Sequence, residues 1–243
     1  MIAAARTDHF VNLRCRPRRA DQNQMPTIAP AATADSVETG GYLFRTCFKD
    51  SYQGEIAAKY AAETLKVKKV AVLYGTGDPY SSGVGKAFVA AAKKNGLDVV
   101  AEENSSSADD TEYSSQLQKI EASGAEFLYA PYYYSTVGPY IVPQARAVGY
   151  EGYIMGPDGY DGLKTTGNKA NYNKVLYTTH YSPDDKSNTK VQQFITSYKR
   201  PITANRRTPS PRSVTIPSTC SSGPSNKPVK TPLVPIFATP SQV

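Results

Sequence analysis

From Lys69 onward, short apolar runs alternate with stretches in which apolar residues recur every three or four positions. Lys69-Val70-Ala71-Val72-Leu73-Tyr74 is β-branched, continuous and bounded by Gly75, which predicts a buried strand. Ser82 to Lys94 places Val84, Phe88, Ala91 and Ala92 on one helical face, and Asn95-Gly96 supplies a C-terminal stop. Leu97 to Ala101 predicts a second strand, Gln116 to Ser123 a helix ending at Gly124, and Phe127 to Ala130 a third strand. Gln144 to Val148 reads as a helix closed by Gly149, with Pro143 in its first turn. Tyr153-Ile154-Met155 predicts a fourth strand and Val175-Leu176-Tyr177 a fifth. Ahead of this series, Ser51 to Leu65 predicts a helix, with Asp50 as N-cap and Gln53 completing a capping box. Behind it, Val191, Phe194, Ile195 and Tyr198 fall at i, i+3, i+4 and i+7, the stripe of an amphipathic helix.

Strand–helix alternation of this kind implies an α/β fold, a parallel sheet with helices on both faces. Ligands of such sheets gather beyond the carboxyl ends of the strands. Those ends here are Tyr74 to Tyr80, Tyr132-Tyr133-Tyr134 and Gly156-Pro157-Asp158-Gly159.

Charge changes the picture only at the termini. The net charge of the 243 residues is +7, but residues 1–24 carry +3, residues 199–243 carry +7, and residues 25–198 carry −3. The basic character lies outside the segment expected to fold, which argues against nucleic-acid binding. The last segment holds nine of the 18 prolines, and residues 1–24 show neither helical nor strand period. Both ends, 1–24 and 199–243, are expected to be disordered or translated out of frame around a real fragment. No apolar run reaches the length of a membrane span, and no apolar region of a secretory signal follows Met1. Cys15 and Cys220 lie in those ends, so Cys47 stands alone as a small buried hydrophobe.

The residue types exclude most catalytic chemistry. A phosphate loop around Gly85-Lys86 would need Gly at Tyr80 and Ser or Thr at Ala87. A dinucleotide fingerprint from Gly75 and Gly77 also requires Gly at Tyr80. Of the two histidines, His9 lies in the leading segment and His180, at the end of a strand, reads as a surface or satisfied histidine rather than a catalytic base, and no cluster has metal-ligand spacing. No enzyme chemistry, metal or cofactor is expected. What remains is a cleft edge rich in tyrosine, with an apolar face and a hydroxyl on each ring, and one carboxylate. From spacing alone Tyr132 and Tyr134 could equally line the ligand site or serve as core or cover for helix ends. Asp158, between Pro157 and Gly159, is either a turn former or the partner of a ligand cation.

Six segments in order carry a resemblance. They are Pro26 to Thr33, Phe44-Arg45-Thr46, Asp50 to Gly54, Ala57 to Tyr60, Gln144 to Gly149 and Met155 to Gly159. Together they resemble the branched-chain amino-acid binding proteins that serve ABC importers. The resemblance implies two α/β lobes joined by a hinge, a periplasmic or extracellular membrane-associated location, and two partners: a free amino acid of the Leu/Ile/Val class and a membrane permease. By position, Ala31 and Thr33 resemble the residues that hold the ligand's α-carboxylate. Tyr80 and Tyr133 resemble the aromatics that close over it. Asp158 stands where the family often has Glu, pairing with the α-ammonium. On this basis residues 25–49 are expected to be a remnant of the first lobe and hinge, and 50–198 the second lobe, with the first lobe largely missing. The competing readings are a ligand-sensing domain of the same fold and, behind it, a nucleotide-dependent α/β enzyme.

Overall fold

The computed structural model describes residues 3–4, 22, 24–29, 31–35, 37, 41–165, 167–182, 185–199 and 236–238. The expectations for most of 1–24 and 199–243 therefore lie outside the described residues. Two compact units are found, Met1–His180 with Pro235–Val243, and Tyr181–Val234.

In the first unit a small parallel sheet joins β1 (Ala3–Ala4), β2 (Thr27–Ala29) and β3 (Leu43–Arg45), in that order. The main sheet contains β4 (Lys69–Gly75), β5 (Asp98–Ser105), β6 (Phe127–Tyr129), β7 (Tyr153–Gly156), β8 (Val175–Thr179) and β9 (Ile236–Ala238). Its spatial order is β5-β4-β6-β7-β8-β9. All pairs are parallel except β8 with β9, where Thr178 faces Phe237. Helices α1 (Asp50–Glu63), α2 (Pro79–Lys94) and α3 (Ser114–Ala122) follow the expected order. The α/β class with helices on both faces is thus observed.

The continuous apolar strands reflect burial on both sides. Along β4, Val70, Val72 and Tyr74 join one core with Ala57, Ala61, Val84 and Phe88 from α1 and α2. The alternating Ala71 and Leu73 join the other, with Leu117 and Ile120 of α3 and with Ile141 and Val142. Gly54 lets α1 lie directly on α2, because a Cβ there would come 2.6 Å from the Phe88 amide nitrogen. Gly96 and Gly149 take positive φ, 73° and 90°, at the helix ends where the sequence placed stops.

Four expectations need correction. The helix expected from Gln144 begins ten residues earlier: α4 (Tyr134–Thr136) runs through a π-helical stretch (Val137–Ile141) into α5 (Val142–Ala147). Pro139 removes an amide that an α-turn would use, and the wider π turn carries the helix past it. The capping box on α1 does not form. Asp50 is buried inside the first turn, and the Ser51 amide is capped instead by Asp35 Oδ2 at 2.8 Å. α2 starts at Pro79 rather than Ser82, because Asp78 caps it by accepting from the Tyr80 and Ser81 amides. Finally, two residues of the leading segment and three of the last depart from the expectation of disordered ends: Ala3–Ala4 pair with β2, and the β-prone Ile236-Phe237-Ala238 adds an antiparallel edge to β8.

In the second unit, α6 (Thr189–Lys199) forms where the stripe predicted it. None of its residues is buried, and Phe194 stacks with Tyr198 at 5.9 Å and meets Tyr181 edge-on at 6.2 Å.

Candidate functional site

The strand order makes β4 and β6 the pair at which the chain reverses its direction across the sheet. In parallel sheets a point of this kind is where ligands bind, beyond the carboxyl ends of the strands. Tyr80 follows β4, Tyr133 follows β6 and Asp158 follows β7, so three of the five expected residues reach this one place.

Tyr80 and Tyr133 stack with ring centroids 5.2 Å apart. The Tyr80 hydroxyl donates to Asp158 Oδ1 at 2.6 Å and accepts from the Gly159 amide at 2.9 Å. Burial first, then the neighbouring Asp158 carboxylate, holds this phenol well above its ordinary range, so it stays a donor. The turn that carries Asp158 is built for contact. A Cβ at Gly156 would fall 2.1 Å from the Tyr160 ring, and one at Gly159 would fall 2.8 Å from the Tyr132 carbonyl. Asp158 is half-buried, and its Oδ2 accepts no hydrogen bond among the described residues. It is both the turn residue and a fixed carboxylate with one oxygen committed.

Gln53 is the residue that sequence reasoning missed. Only 2% exposed, it leaves the helix end to which it was assigned and enters the site. Its Nε2 donates to Asp158 Oδ1 at 3.0 Å, while its Oε1 accepts from the Asp158 amide at 2.9 Å and from Thr178 Oγ1 at 3.1 Å. Gln53 thus grips Asp158 at both side chain and main chain. The signal was available: Gln53, Ala57 and Ala61 share one helical face, and a polar residue on a core face must have a buried partner.

Asp50 was missed for the same reason. It is 2% exposed and its Oδ1 lacks a hydrogen bond among the described residues. Burial pushes its carboxyl up to about 7, opposed by the Thr33 side chain and reinforced by Asp158 and Asp35. Thr33 is buried against it, and the Thr33 carbonyl accepts from the Asp50 amide at 3.0 Å and from Arg45 at 2.9 Å. Ala31 is exposed at the start of the same loop. Thr33 therefore reaches the acidic side of the site through Asp50, whereas Ala31 stays exposed.

Of the remaining tyrosines, Tyr132 is core: fully buried, it bonds Ser105 Oγ at 2.9 Å and meets Tyr113 edge-on. Tyr134 is 52% exposed at the start of α4. His180 stacks on Phe48 at 3.9 Å, and Cys47 is a buried free thiol that burial pushes up to about 11. Among the described residues no group of three acidic, His or Cys side chains is placed to hold a metal, and no helix is long and apolar enough to cross a membrane.

A tyrosine-covered carboxylate at a sheet switch point accords with comparisons to known proteins. The sequence model of the periplasmic binding protein family matches residues 17–214. The chain belongs to that family. It is 31% identical over 140 residues to the Leu/Ile/Val-binding protein homolog 3 of Brucella melitensis, an overlap of 57% of this chain and 37% of that protein. It is 33% identical over 163 residues to an amino acid binding protein of Pseudomonas aeruginosa, covering 65% and 43%. Among solved structures, the leucine-binding protein LivK of Thermotoga maritima superposes with a TM-score of 0.69 at 27% identity, over 82% of this chain and 56% of that one. The isoleucine complex of LivJ from Streptococcus pneumoniae gives 0.64 at 29% identity, over 74% and 51%. The chain thus spans well under half the length of these curated relatives.

Proposed function

We propose that residues 25–198 form one wall of an amino-acid site in an extracytoplasmic binding protein that delivers its ligand to the permease of an ABC importer. The observation that carries this reading is the Asp158 carboxylate, held at Oδ1 by Tyr80 and Gln53 and open at Oδ2 beside the Tyr80–Tyr133 stack. A carboxylate beside an aromatic wall suits a molecule with an ammonium group next to an aliphatic side chain. The ammonium loses water on entering the cleft and needs a charged, hydrogen-bonded partner. The ring faces cover apolar surface. Leucine, isoleucine and valine carry that pair of features, and relatives of this chain are named for binding them. Ala31 and Thr33 are assigned to the ligand's carboxylate end, and no catalytic step is assigned to any residue.

Titration of the ¹⁵N-labelled chain with leucine, isoleucine and valine tests the reading. Amide shifts are expected at Tyr80, Tyr133, Asp158 and Gly159, and they should vanish with N-acetyl-leucine, which lacks the ammonium. Equal shifts with N-acetyl-leucine, or shifts centred elsewhere, refute the role of Asp158.

A further inference from the structure

The loop 31–35 docks on the first turn of α1 through a set of contacts that converge on one buried acid. The Asp50 amide donates to the Thr33 carbonyl at 3.0 Å, and the Ser51 amide and hydroxyl both donate to the Asp35 carboxylate at 2.8 Å. Arg45 clamps the loop from β3, donating to the carbonyls of Thr33, Ala34 and Val37. In the middle lie two buried polar groups, Asp50 Oδ1 and Thr33 Oγ1, side by side yet each lacking a well-formed hydrogen bond among the described residues.

The surroundings of the Asp50 carboxyl are acidic. Asp35 faces it from the loop and Asp158 from the turn after β7, with Arg45 as the opposing cation. Around them stand the Cys47 thiol and the phenols of Tyr80, Tyr129 and Tyr133, all held neutral by burial. Arg45 gives both terminal nitrogens to three loop carbonyls, and its buried Nε has no hydrogen-bond partner among the described residues. An ionised Asp50 would be a third negative charge in a place that admits almost no water. Such a charge is costly unless the structure opens to hydrate it.

We propose that Asp50 is a proton-operated latch: with its proton it lets loop 31–35 dock on α1, and on losing that proton it drives the loop away. The inference extends the amino-acid reading, because the loop holds Ala31 and Thr33, but its test uses no ligand and so stands or fails separately. Burial supports a switching range at neutral pH, with the carboxyl near 7. Protonated, Asp50 presents a donor to Thr33 Oγ1 and no charge to Asp35 or Asp158. Ionised, it meets both as a like charge.

Hydrogen exchange on the full chain reads the latch directly. The Asp50 and Ser51 amides bond to the loop, and the Val72 amide in β4 serves as the interior reference. Corrected for intrinsic exchange, protection of Asp50 and Ser51 relative to Val72 should fall by about tenfold between about pH 6 and about pH 8. In Asp50→Asn, which cannot ionise, it should stay flat. The side-chain carboxyl ¹³C shift of Asp50 in the unaltered chain gives a second measurement that needs no variant. A midpoint near 7 supports the latch, and a midpoint below about 5 overturns it, because Asp50 would then be charged throughout the range. Protection that is flat in the parent, or that falls equally in Asp50→Asn, also overturns it.

Discussion

Replacing Gln53 by leucine removes three hydrogen bonds while keeping nearly the same volume. Two bonds end on groups with no easy substitute: Thr178 Oγ1, which is 1% exposed, and the Asp158 amide in its tight turn. A buried polar group stranded in this way costs about 1–3 kcal/mol. The third bond, from Nε2 to Asp158 Oδ1, is charge-assisted, but Asp158 is half-exposed and water recovers part of it. Leucine returns some stability by burying apolar surface. The expected net loss is about 2–4 kcal/mol, several-fold more than a surface substitution gives. Urea unfolding followed by far-ultraviolet circular dichroism reads this as a lowered midpoint at unchanged slope. Gln53→Glu should be as severe at neutral pH, since it places a second carboxyl against Asp158, and milder in acid. If Gln53→Leu unfolds within about 0.5 kcal/mol of the parent, Gln53 does not hold Asp158 and the described geometry of the site is wrong.

Three further outcomes follow from the same geometry. Gly156→Ala should cost more than about 3 kcal/mol or abolish folding, because the new Cβ would fall 2.1 Å from the buried Tyr160 ring, itself tied to the Ala130 carbonyl at 2.7 Å; thermal melting checks this. The Asp50 carboxyl sits at about 7 in the folded chain against 3.8 in its ordinary state. Its burden on stability is therefore absent below pH 3.8, grows as the pH rises and is complete above about 7. Asp50→Asn should accordingly gain up to about 4 kcal/mol over the parent at pH 8 and little at pH 4, measured from urea midpoints at the two pH values. In a chimera that joins residues 25–198 to the remainder of a Leu/Ile/Val-binding relative, Asp158→Ala should weaken leucine binding by roughly two to three and a half orders of magnitude, and Asp158→Glu by far less. Calorimetry that found Asp158→Ala within about threefold of the parent would reduce Asp158 to a turn residue.

The order of strands and helices was legible from the chain alone because both faces of this sheet are covered. Each strand then becomes a continuous apolar run such as Val70 to Tyr74, and each helix shows a stripe such as Val84, Phe88, Ala91 and Ala92. The positions of Tyr80, Tyr133 and Asp158 after three strands could also be read in sequence, since a parallel sheet sends all its carboxyl ends to one side. Local patterns failed where a residue's partner lay far along the chain. Asp50 and Gln53 have the spacing of a capping box, but Asp35 supplied the cap to Ser51 from 16 residues upstream, and Asp158, over a hundred residues away, took Gln53. Tyr132, Tyr133 and Tyr134 are chemically identical in sequence. Tertiary packing alone sent the first to the core, the second to the site and the third to the surface. Periodicity reports which face of an element is buried, because that depends on solvent averaged over many neighbours. Which single partner a buried polar group finds depends on a few ångströms of tertiary geometry, and no local pattern encodes that distance.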